Sequence, residues 1–471
     1  MISPPSSERT NRDSARRLVI ACEHPDLPTG FATVGRNIAE CLTKDSEWSV
    51  KYLGINRAPG QREMETFAYE VFEVGAPLDR DDGRFIDALK RLLGEHEGDK
   101  ALCILSIGPG YDQLALLELL TENHWRQDVT FVAYMPIDYG PLPPLFGSLL
   151  AEVDYFVPYT RNAAQIVEDW CWREDGDFGK VSQPIPHGVR TDIFRPSTLD
   201  VRRAVRRDSF RLRDDDLLIG YFGKNSRHKR AELAVRIFQL LVHGKYATCS
   251  NCGSLKAFQL DPVDMQFIKP ITCSGCSCVE LKPGKPFRKA KLYLHTDDPE
   301  GKNRNHSGGW DLRVLARRLA VDNQIVWSQS LPDPDGVGAC ELARRMSACD
   351  IHLLPYESGG WELTVLETGA CGVPNVITDF AAPPEYARPF SRLIPIGPPI
   401  FETTGIRGLM DIEFALAALL ELGSSHSARR VLGKNGLEVA KEYAWPRVTR
   451  LWNKFLRSAI DKQVEFNRNR T

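Results

Sequence analysis

The sequence predicts an α/β chain of two doubly wound parallel sheets in series, and three observations carry that prediction. Short apolar runs rich in Val, Ile and Leu alternate with helix-period segments along most of the 471 residues. The alternation begins again after a charged stretch, Arg190 to Arg211, that contains Pro196 and no strand pattern. Glycine-rich or cationic loops fall where the apolar runs end. Continuous β-branched runs mark strands covered on both faces, as in parallel sheets. A chain of this length also exceeds what one core organises.

In the first half the strand candidates are Arg17 to Cys22, Trp48 to Asn56, Ala101 to Ile107, Val129 to Met135, Tyr155 to Tyr159 and Val181 to Pro186. Helix-period segments such as Ile38 to Lys44 and Phe85 to Leu93 fall between them. The second half offers Leu217 to Phe222, Lys291 to His295, Gln324 to Trp327, Ile351 to Leu354, Asn375 to Thr378 and Leu393 to Ile396. Its helical patterns are Ala231 to Val242, Leu312 to Leu319 and Leu342 to Ala348. After Arg429 a long amphipathic pattern runs to Phe466, broken at Pro446, and reads as a terminal helix pair packing back across the domains.

Hydrophobic residues at 42% and charged residues at 26% are the proportions of a globular enzyme. Sixty Lys and Arg against 62 Asp and Glu leave a net charge of −2, so no global field draws in nucleic acid or an acidic membrane. Met1 to Arg17 is polar and lacks a signal-peptide apolar segment, and no apolar run reaches the roughly 20 residues that span a bilayer. The expected location is the cytoplasm, with a flexible leader over residues 1–16.

In open parallel sheets, ligands gather at the carboxyl ends of strands. The first strand runs into Glu23-His24-Pro25-Asp26-Leu27-Pro28-Thr29-Gly30, where Gly30 lets a ligand approach the backbone and a helix N-terminus follows. His24 and Asp26 in this loop are candidates to face an acceptor. The second domain opens with Gly220-Tyr221-Phe222-Gly223-Lys224-Asn225-Ser226-Arg227-His228-Lys229-Arg230, four Lys or Arg in seven residues at a strand end. Crowded like charges suit an anion, and a diphosphate would collect charge-assisted bonds from Lys224, Arg227 and Lys229. The bland alternative is a solvated basic loop. Farther on, Pro355 to Pro374 reads as a strand end, a Gly359-Gly360-Trp361 loop and a helix starting near Leu363 that carries Glu367. The glycines can present N–H groups to a sugar or phosphate, and Glu367 can accept hydrogen bonds from a ribose diol.

Phe222 to Arg230, Pro186-His187-Gly188-Val189 and Pro355 to Pro374 together resemble the group 1 (family four) glycosyltransferases of the GT-B fold. Leu292 to Asp297 and Gly309-Trp310-Asp311-Leu312 add to the resemblance, which runs from about Arg17 to Tyr443 with its densest part in the second domain. It implies two Rossmann-like domains facing each other across a cleft, and a retaining transfer from a sugar joined to UDP, GDP or ADP, without an obligatory catalytic metal. Lys224 and Lys229 match the basic pair on the donor diphosphate, and Glu367 matches the second of two paired glutamates, the ribose holder. The first glutamate falls at Gly359, eight positions earlier, while Glu362 replaces a usual glycine and Thr364 a usual proline. Glu357 and Glu362 are the carboxylates able to take the missing place. Lys224, Lys229 and Glu362 are accordingly the catalytic candidates. Gly30, Arg227, Gly359, Gly360, Trp361 and Glu367 are donor-binding candidates. Tyr134-Met135-Pro136-Ile137-Asp138-Tyr139 matches a region facing sugar and acceptor, which adds Asp138 to the acceptor side with His24 and Asp26.

Seven of the twelve cysteines are scattered in apolar segments as small hydrophobes. The other five form Cys249-x-x-Cys252 and Cys273-x-x-Cys276, twenty residues apart, with Cys278 close behind. Two such knuckles fit a tetrahedral four-sulfur structural Zn2+ site, whose closed coordination excludes catalysis. The family lacks such an insertion. It reads either as a structural clip or, with its basic neighbourhood, as a module for contacting nucleic acid. Asp333-x-Asp335 resembles the metal-binding pair of a different glycosyltransferase fold, but its Pro-rich loop explains it by turn chemistry.

The expected organisation is therefore a leader (1–16), an N-terminal Rossmann-like domain (17–195), a nucleotide-sugar domain (196–435) interrupted by the zinc ribbon (245–289), and C-terminal helices (436–471). The expected function is transfer of a sugar from a nucleotide diphosphate sugar to an acceptor hydroxyl. Two alternatives stay open: transfer to a hydroxylated base in DNA through the zinc ribbon, and a non-catalytic nucleotide-sugar- or nucleic-acid-binding protein on the same scaffold.

Overall fold

The computed structural model describes residues 15–56, 66–75, 83–94, 102–174, 176–260, 266–297, 309–328, 337–402 and 405–468. Most of the expected leader, and both Asp333 and Asp335, lie outside them. The chain divides into two compact units, Met1–Gly188 with Tyr443–Thr471, and Val189–Glu442. The charged stretch before residue 211 falls in the second unit because its arginines anchor there. Arg202 binds Asp350 at 2.6 Å, and the buried Arg206 reaches Asp350 at 3.1 Å and the Ala348 carbonyl at 2.9 Å.

In the first unit the elements follow the order β1 (Arg16–Glu23), α1 (Gly30–Thr43), β2 (Trp48–Ile55), β3 (Glu70–Glu73), α2 (Gly83–Gly94), β4 (Leu102–Ile107), α3 (Gly110–Glu122), β5 (Val129–Tyr134), α4 (Pro144–Glu152), β6 (Tyr155–Val157) and α5 (Arg161–Glu174). The strands form one sheet in the order β3-β2-β1-β4-β5-β6, and every pairing is parallel. Every residue of β4 and β5 is buried, which is why those runs carry no polar alternation. Thr29 caps α1 by accepting from the Ala32 amide, and this fixes where the first strand-end loop stops and the helix begins. The run Val181 to Pro186, expected as a strand, forms only a single bridge, Phe156 with Val181. Pro184 and Pro186 have no N–H to extend a ladder; the Ser182 and Ile185 amides bond the Phe156 and Pro158 carbonyls at 2.8 and 3.0 Å, while the Val181 amide turns back to the Phe178 carbonyl at 3.0 Å.

The second unit repeats the plan: α6 (Leu199–Ala204), β7 (Leu217–Phe222), α7 (Ala231–His243), an insertion holding β8 (Tyr246–Cys249), β9 (Leu255–Ala257), β10 (Gln259–Leu260), β11 (Phe267–Ile268) and β12 (Leu281–Pro283), then β13 (Ala290–His295), α8 (Leu312–Arg318), β14 (Ile325–Trp327), α9 (Ala339–Ala348), β15 (Ile351–Leu354), α10 (Leu363–Ala370), β16 (Asn375–Thr378), α11 (Pro384–Ala387), β17 (Ser391–Ile394), the hairpin β18 (Ile400–Glu402) and β19 (Gly405–Arg407), α12 (Ile412–Ser424) and α13 (His426–Glu442), after which α14 (Trp445–Arg468) returns the chain to the first unit. Its main sheet has the order β14-β13-β7-β15-β16-β17, again all parallel. Renumbered within each unit, both sheets read 3-2-1-4-5-6. The topological switch point, where ligands gather, therefore lies between β1 and β4 in one unit and between β7 and β15 in the other.

The last helix, α14, belongs to the first unit. Trp452 is fully buried edge-on against Tyr134, with ring centroids 4.8 Å apart, and Trp48 Nε1 donates to Asn453 Oδ1 at 2.5 Å. Gly188 leaves no room for a side chain because the Trp445 ring covers it. Pro446 sits in the first turn of α14, where a missing N–H costs nothing, and so it marks the start of that helix.

Candidate functional site at the second switch point

The loop leaving β7 and the loop leaving β15 meet through two ion pairs from adjacent residues. Lys229 Nζ binds Glu362 Oε1, and Arg230 binds Glu357 Oε1. Between β7 and α7 the chain makes a single tight turn, Arg227–Lys229, and then Arg230 adopts the left-handed region at φ 52°. That conformation is costly for a side chain with a Cβ and persists only where its surroundings hold it. The buried Glu357 carboxylate, 3% exposed, supplies the hold and is also approached by Arg407 Nη1 at 3.5 Å from β19. Two backbone bonds lock the same junction: the Glu357 amide to the His228 carbonyl at 2.8 Å, and the Gly408 amide to the Glu357 carbonyl at 3.0 Å.

Around this frame, Lys224 and Arg227 are exposed and Lys229 is half-buried. His228 is pushed down to about 3 by burial, and then by the charges of Lys229, Arg407 and Lys224. It is therefore neutral near pH 7, and the cationic character of the site rests on its Lys and Arg. This concentration of positive charge at a strand end, in a partly desolvated setting, is suited to an anion.

Glu362 is buried, and its backbone is bracketed by the Tyr386 hydroxyl, which accepts from the Glu362 amide at 3.1 Å and donates to its carbonyl at 3.0 Å. Trp361 stacks on the Tyr386 ring with centroids 4.2 Å apart. A Cβ built on Gly359 would collide with the Glu362 carboxylate, so that carboxylate occupies the space beside residue 359. Of the two carboxylates able to stand in for a glutamate at 359, Glu357 is therefore engaged in the frame and Glu362 lies beside the vacant position. Gly359 and Gly360 are both buried, with the Gly359 carbonyl accepting from the Ala382 amide at 3.2 Å.

Glu367 lies in the second turn of α10, and burial alone pushes its carboxyl up to about 8. Thr364, where the family places proline, ties the start of α10 to β7 by donating to the Phe222 carbonyl at 3.1 Å. Beneath the helix a fully buried network joins Thr368 Oγ1 to Asn375 Oδ1 at 2.8 Å and His352 Nδ1 to the same oxygen at 2.5 Å. Burial holds His352 down to about 4, so the network is uncharged at neutral pH. These contacts fix the position of Glu367 relative to β7 and β15.

Sequence reasoning reached Lys224, Arg227, Lys229, Glu362 and Glu367, and the second unit brings their segments together. It missed the Arg230–Glu357–Arg407 frame. A fourth cation in the β7 loop hints at Arg230, but nothing local marks Arg407, which arrives on a hairpin 177 residues later. It also missed Asn225, whose buried amide bonds both the Trp310 carbonyl at 2.8 Å and its amide at 3.0 Å, fixing the 309–312 segment against the β7 loop.

In the first unit, Gly30 is the exposed first residue of α1. His24 has no exposed surface: its Nδ1 accepts from the Asp26 amide at 3.2 Å and its ring packs against Gly54. It is thus a packing residue of the switch-point loop, and of the acceptor-side candidates only Asp26 and Asp138 are partly exposed. Asp112, at the start of α3, is pushed up to about 6 by burial and then by the nearby Glu23.

The Sγ atoms of Cys249, Cys252, Cys273 and Cys276 all lie within 4.8 Å of one another. The distances Cys249–Cys276 and Cys252–Cys273 are both 3.6 Å. Metal–sulfur bonds of about 2.3 Å in a tetrahedron place sulfurs roughly 3.8 Å apart, so the donor set fits a metal of zinc's preferences. Cys278 lies outside the four, with its sulfur accepting from the Glu280 amide at 3.4 Å. The Ser254 hydroxyl and the Gly275 and Cys276 amides hold the Cys273 thiol below its ordinary range, which favours a thiolate at that position.

No family model and no curated protein matches the sequence. Solved structures match its fold across nearly the whole length. Sucrose-phosphate synthase from Thermosynechococcus elongatus is 14% identical with a TM-score of 0.67, covering 95% of this chain and 100% of its own. HepE from Anabaena, in complex with UDP and glucose, is 10% identical with a TM-score of 0.63, covering 94% and 100%. The α,α-trehalose 6-phosphate synthase from Burkholderia multivorans is 12% identical with a TM-score of 0.64, covering 96% and 98%. The chain has the GT-B fold, two Rossmann-like units in series, with a four-cysteine cluster inserted in the second.

Proposed function

We propose that this chain is a glycosyltransferase that moves a sugar from a nucleotide diphosphate sugar to an acceptor hydroxyl with retention at the anomeric carbon. One arrangement carries the reading: at the switch point between β7 and β15, Lys229 pairs with Glu362, Lys224 and Arg227 lie exposed on the same β7 loop, and Glu367 stands on the adjoining helix. Cations, a carboxylate beside a vacant side-chain position, and a half-buried carboxylate five residues on, in the second turn of α10, correspond to diphosphate, sugar and ribose. HepE, which shares the fold, is solved with UDP and glucose bound, and that supports the assignment.

Lys224 and Lys229 neutralise charge on the departing diphosphate, which is transition-state stabilisation by preorganised cations. The bond from the sugar's C1 to the phosphate oxygen breaks, and the acceptor oxygen bonds to C1 on the same face. The acceptor's proton passes to the leaving phosphate oxygen, so no strong protein base is required. Glu362, held by Lys229, accepts a hydrogen bond from a donor-sugar hydroxyl, and Glu367 accepts from the ribose diol. Gly359, Gly360 and Trp361 shape the wall of the donor site, and Gly30, Asp26 and Asp138 serve the first unit's side of the reaction. The four cysteines hold a structural zinc ion that clips the insertion into shape. No described helix is long and apolar enough to cross a membrane.

A thermal-shift screen of UDP-, GDP- and ADP-sugars, followed by donor hydrolysis without acceptor, tests this reading. One nucleotide sugar is expected to raise the melting temperature by mass action and to be slowly hydrolysed. A shift without hydrolysis would support a binding protein on this scaffold; no shift with any donor would remove the assignment.

A further inference from the structure

The four-cysteine insertion offers a surface that neither the donor site nor its own core uses. Its small core is Ala247, Cys249, Cys273 and Leu281, with Phe258 and two cysteines packed against it. Outside that core, Ile271 is 83% and Val279 is 72% exposed. The second knuckle closes through the Cys273 amide bonded to the Cys278 carbonyl at 2.8 Å, so these two side chains flank its entrance and exit.

The charge of the insertion departs from that of the chain. Residues 245–289 carry seven Lys and Arg against three Asp and Glu, in a protein whose net charge is −2. Three of the seven are committed: Lys245 lies over the Phe267 ring at 5.0 Å, Lys256 binds Glu413 at 2.9 Å, and Lys289 binds Asp215. Lys269, Lys282, Lys285 and Arg288 remain, all exposed and without a carboxylate partner among the described residues. A tetrathiolate zinc site would carry a formal charge of about −2, which offsets only half of the excess of four that seven cations against three carboxylates leave.

The location separates this surface from the donor site. Helix α7 begins next to Lys229 and ends at Gly244, where the insertion starts. Thirteen residues at about 1.5 Å each set the two roughly 20 Å apart. A stable protein partner needs roughly 800 Å² on each side around a sizeable apolar centre, and three exposed aliphatic side chains, Ile268, Ile271 and Val279, do not supply one. Four exposed cations on flexible stems, interspersed along the insertion with a few exposed aliphatic side chains, suit instead a regular line of phosphates with sugars and bases between them.

We propose that the outer face of this insertion docks a nucleic acid, with Lys269, Lys282, Lys285 and Arg288 on phosphates and Ile271 and Val279 against sugars and bases. The proposal stands apart from the transferase reading and is tested without activity. Full-length zinc-replete protein is titrated into labelled 20-nucleotide single-stranded and duplex DNA at 50 to 200 mM NaCl, read by fluorescence anisotropy. Four phosphate contacts predict a log–log salt slope of about −2.8 for the single strand and about −3.6 for the duplex, a loss of roughly 50- to 150-fold over that range. Lys269→Gln/Lys282→Gln/Lys285→Gln is expected to cut affinity at least tenfold and flatten the slope, while its melting temperature and donor-induced shift stay unchanged. Ile271→Ser/Val279→Ser is expected to weaken binding at an unchanged slope. Absence of binding at 50 mM salt, equal binding by the triple lysine variant, or equal competition by polyglutamate of matched charge would each overturn the proposal.

Discussion

Glu362 places its carboxylate against Gly359, in the space where a side chain at 359 would begin, and Lys229 holds it there. The glutamate that the resemblance puts at 359 and the glycine that it puts at 362 have in effect exchanged places. A carboxylate in the same small volume can then be supplied from either position, but not from both. Gly359→Glu is expected to force two carboxylates against one lysine, lowering the melting temperature by several degrees and turnover at least tenfold. The double variant Gly359→Glu/Glu362→Gly should recover most of both. A double variant no better than the single one, in melts and in steady-state turnover, would show that the two positions are not equivalent.

Lys229→Ala is expected to cut turnover by about 10²–10³, the usual cost of removing one preorganised partner of developing charge. The fold should persist, because the frame beneath it is made by Arg230, Glu357 and Arg407. Glu362 then loses its counterion while still buried, so a modest fall in melting temperature should accompany the loss. Near-wild-type turnover with a measured donor would remove Lys229 from the chemistry.

Glu357→Ala should behave in the opposite way, as a change in stability before a change in chemistry. It strips the buried carboxylate from Arg230 and leaves the left-handed residue with only its pair to Glu232 at 3.1 Å. Removing one member of a buried pair costs about 3–5 kcal/mol. Arg230→Gly, which tolerates φ 52° without strain, should be milder than Arg230→Ala. Chemical denaturation of the three variants checks the order, and an Ala variant as stable as the Gly variant would show that the backbone is not strained there.

The sheets are legible in the sequence because their strands are buried on both faces, so β4, β5 and β7 appear as unbroken apolar runs. The short β3 and the β18–β19 hairpin carry no such run. Val181 to Pro186 misleads because apolar character alone cannot reveal that its prolines lack donors. At the site, Lys229 and Glu367 stand out since a cationic strand end and a strand–glycine–helix transition are local patterns. Arg407 does not, because its meaning depends on a buried carboxylate fifty residues away. His24 is the converse: a polar residue beside a glycine loop invites a ligand reading, and only packing against Gly54 shows it to be enclosed.

The knuckles make an equally specific statement about which cysteine is a ligand. Cys276→Ser should lose the metal, measured as zinc per chain by elemental analysis, and lower the melting temperature. Cys278→Ser should retain one zinc per chain, since that sulfur lies outside the four that converge. Zinc loss from the Cys278 variant alone would reassign the fourth ligand.

Glu367 yields a pH dependence whose sign follows from its environment. Burial raises its carboxyl from the ordinary range to about 8, so the native state holds a proton that the unfolded chain releases near 4.5. Between those values the native state binds more protons, and stability falls as pH rises. Glu367→Gln, neutral at every pH, does not incur that loss. In the donor-free protein the variant's melting temperature should therefore gain on the wild type steadily from pH 5 to pH 8, with the gap levelling off above that. Donor reverses the balance, because ribose hydroxyls donate to the ionised carboxylate and should release its proton, so the wild type gains more from nucleotide than the variant. A gap that stays constant from pH 5 to pH 9 would mean that Glu367 is already ionised, and would place it in a wetter pocket than the one described.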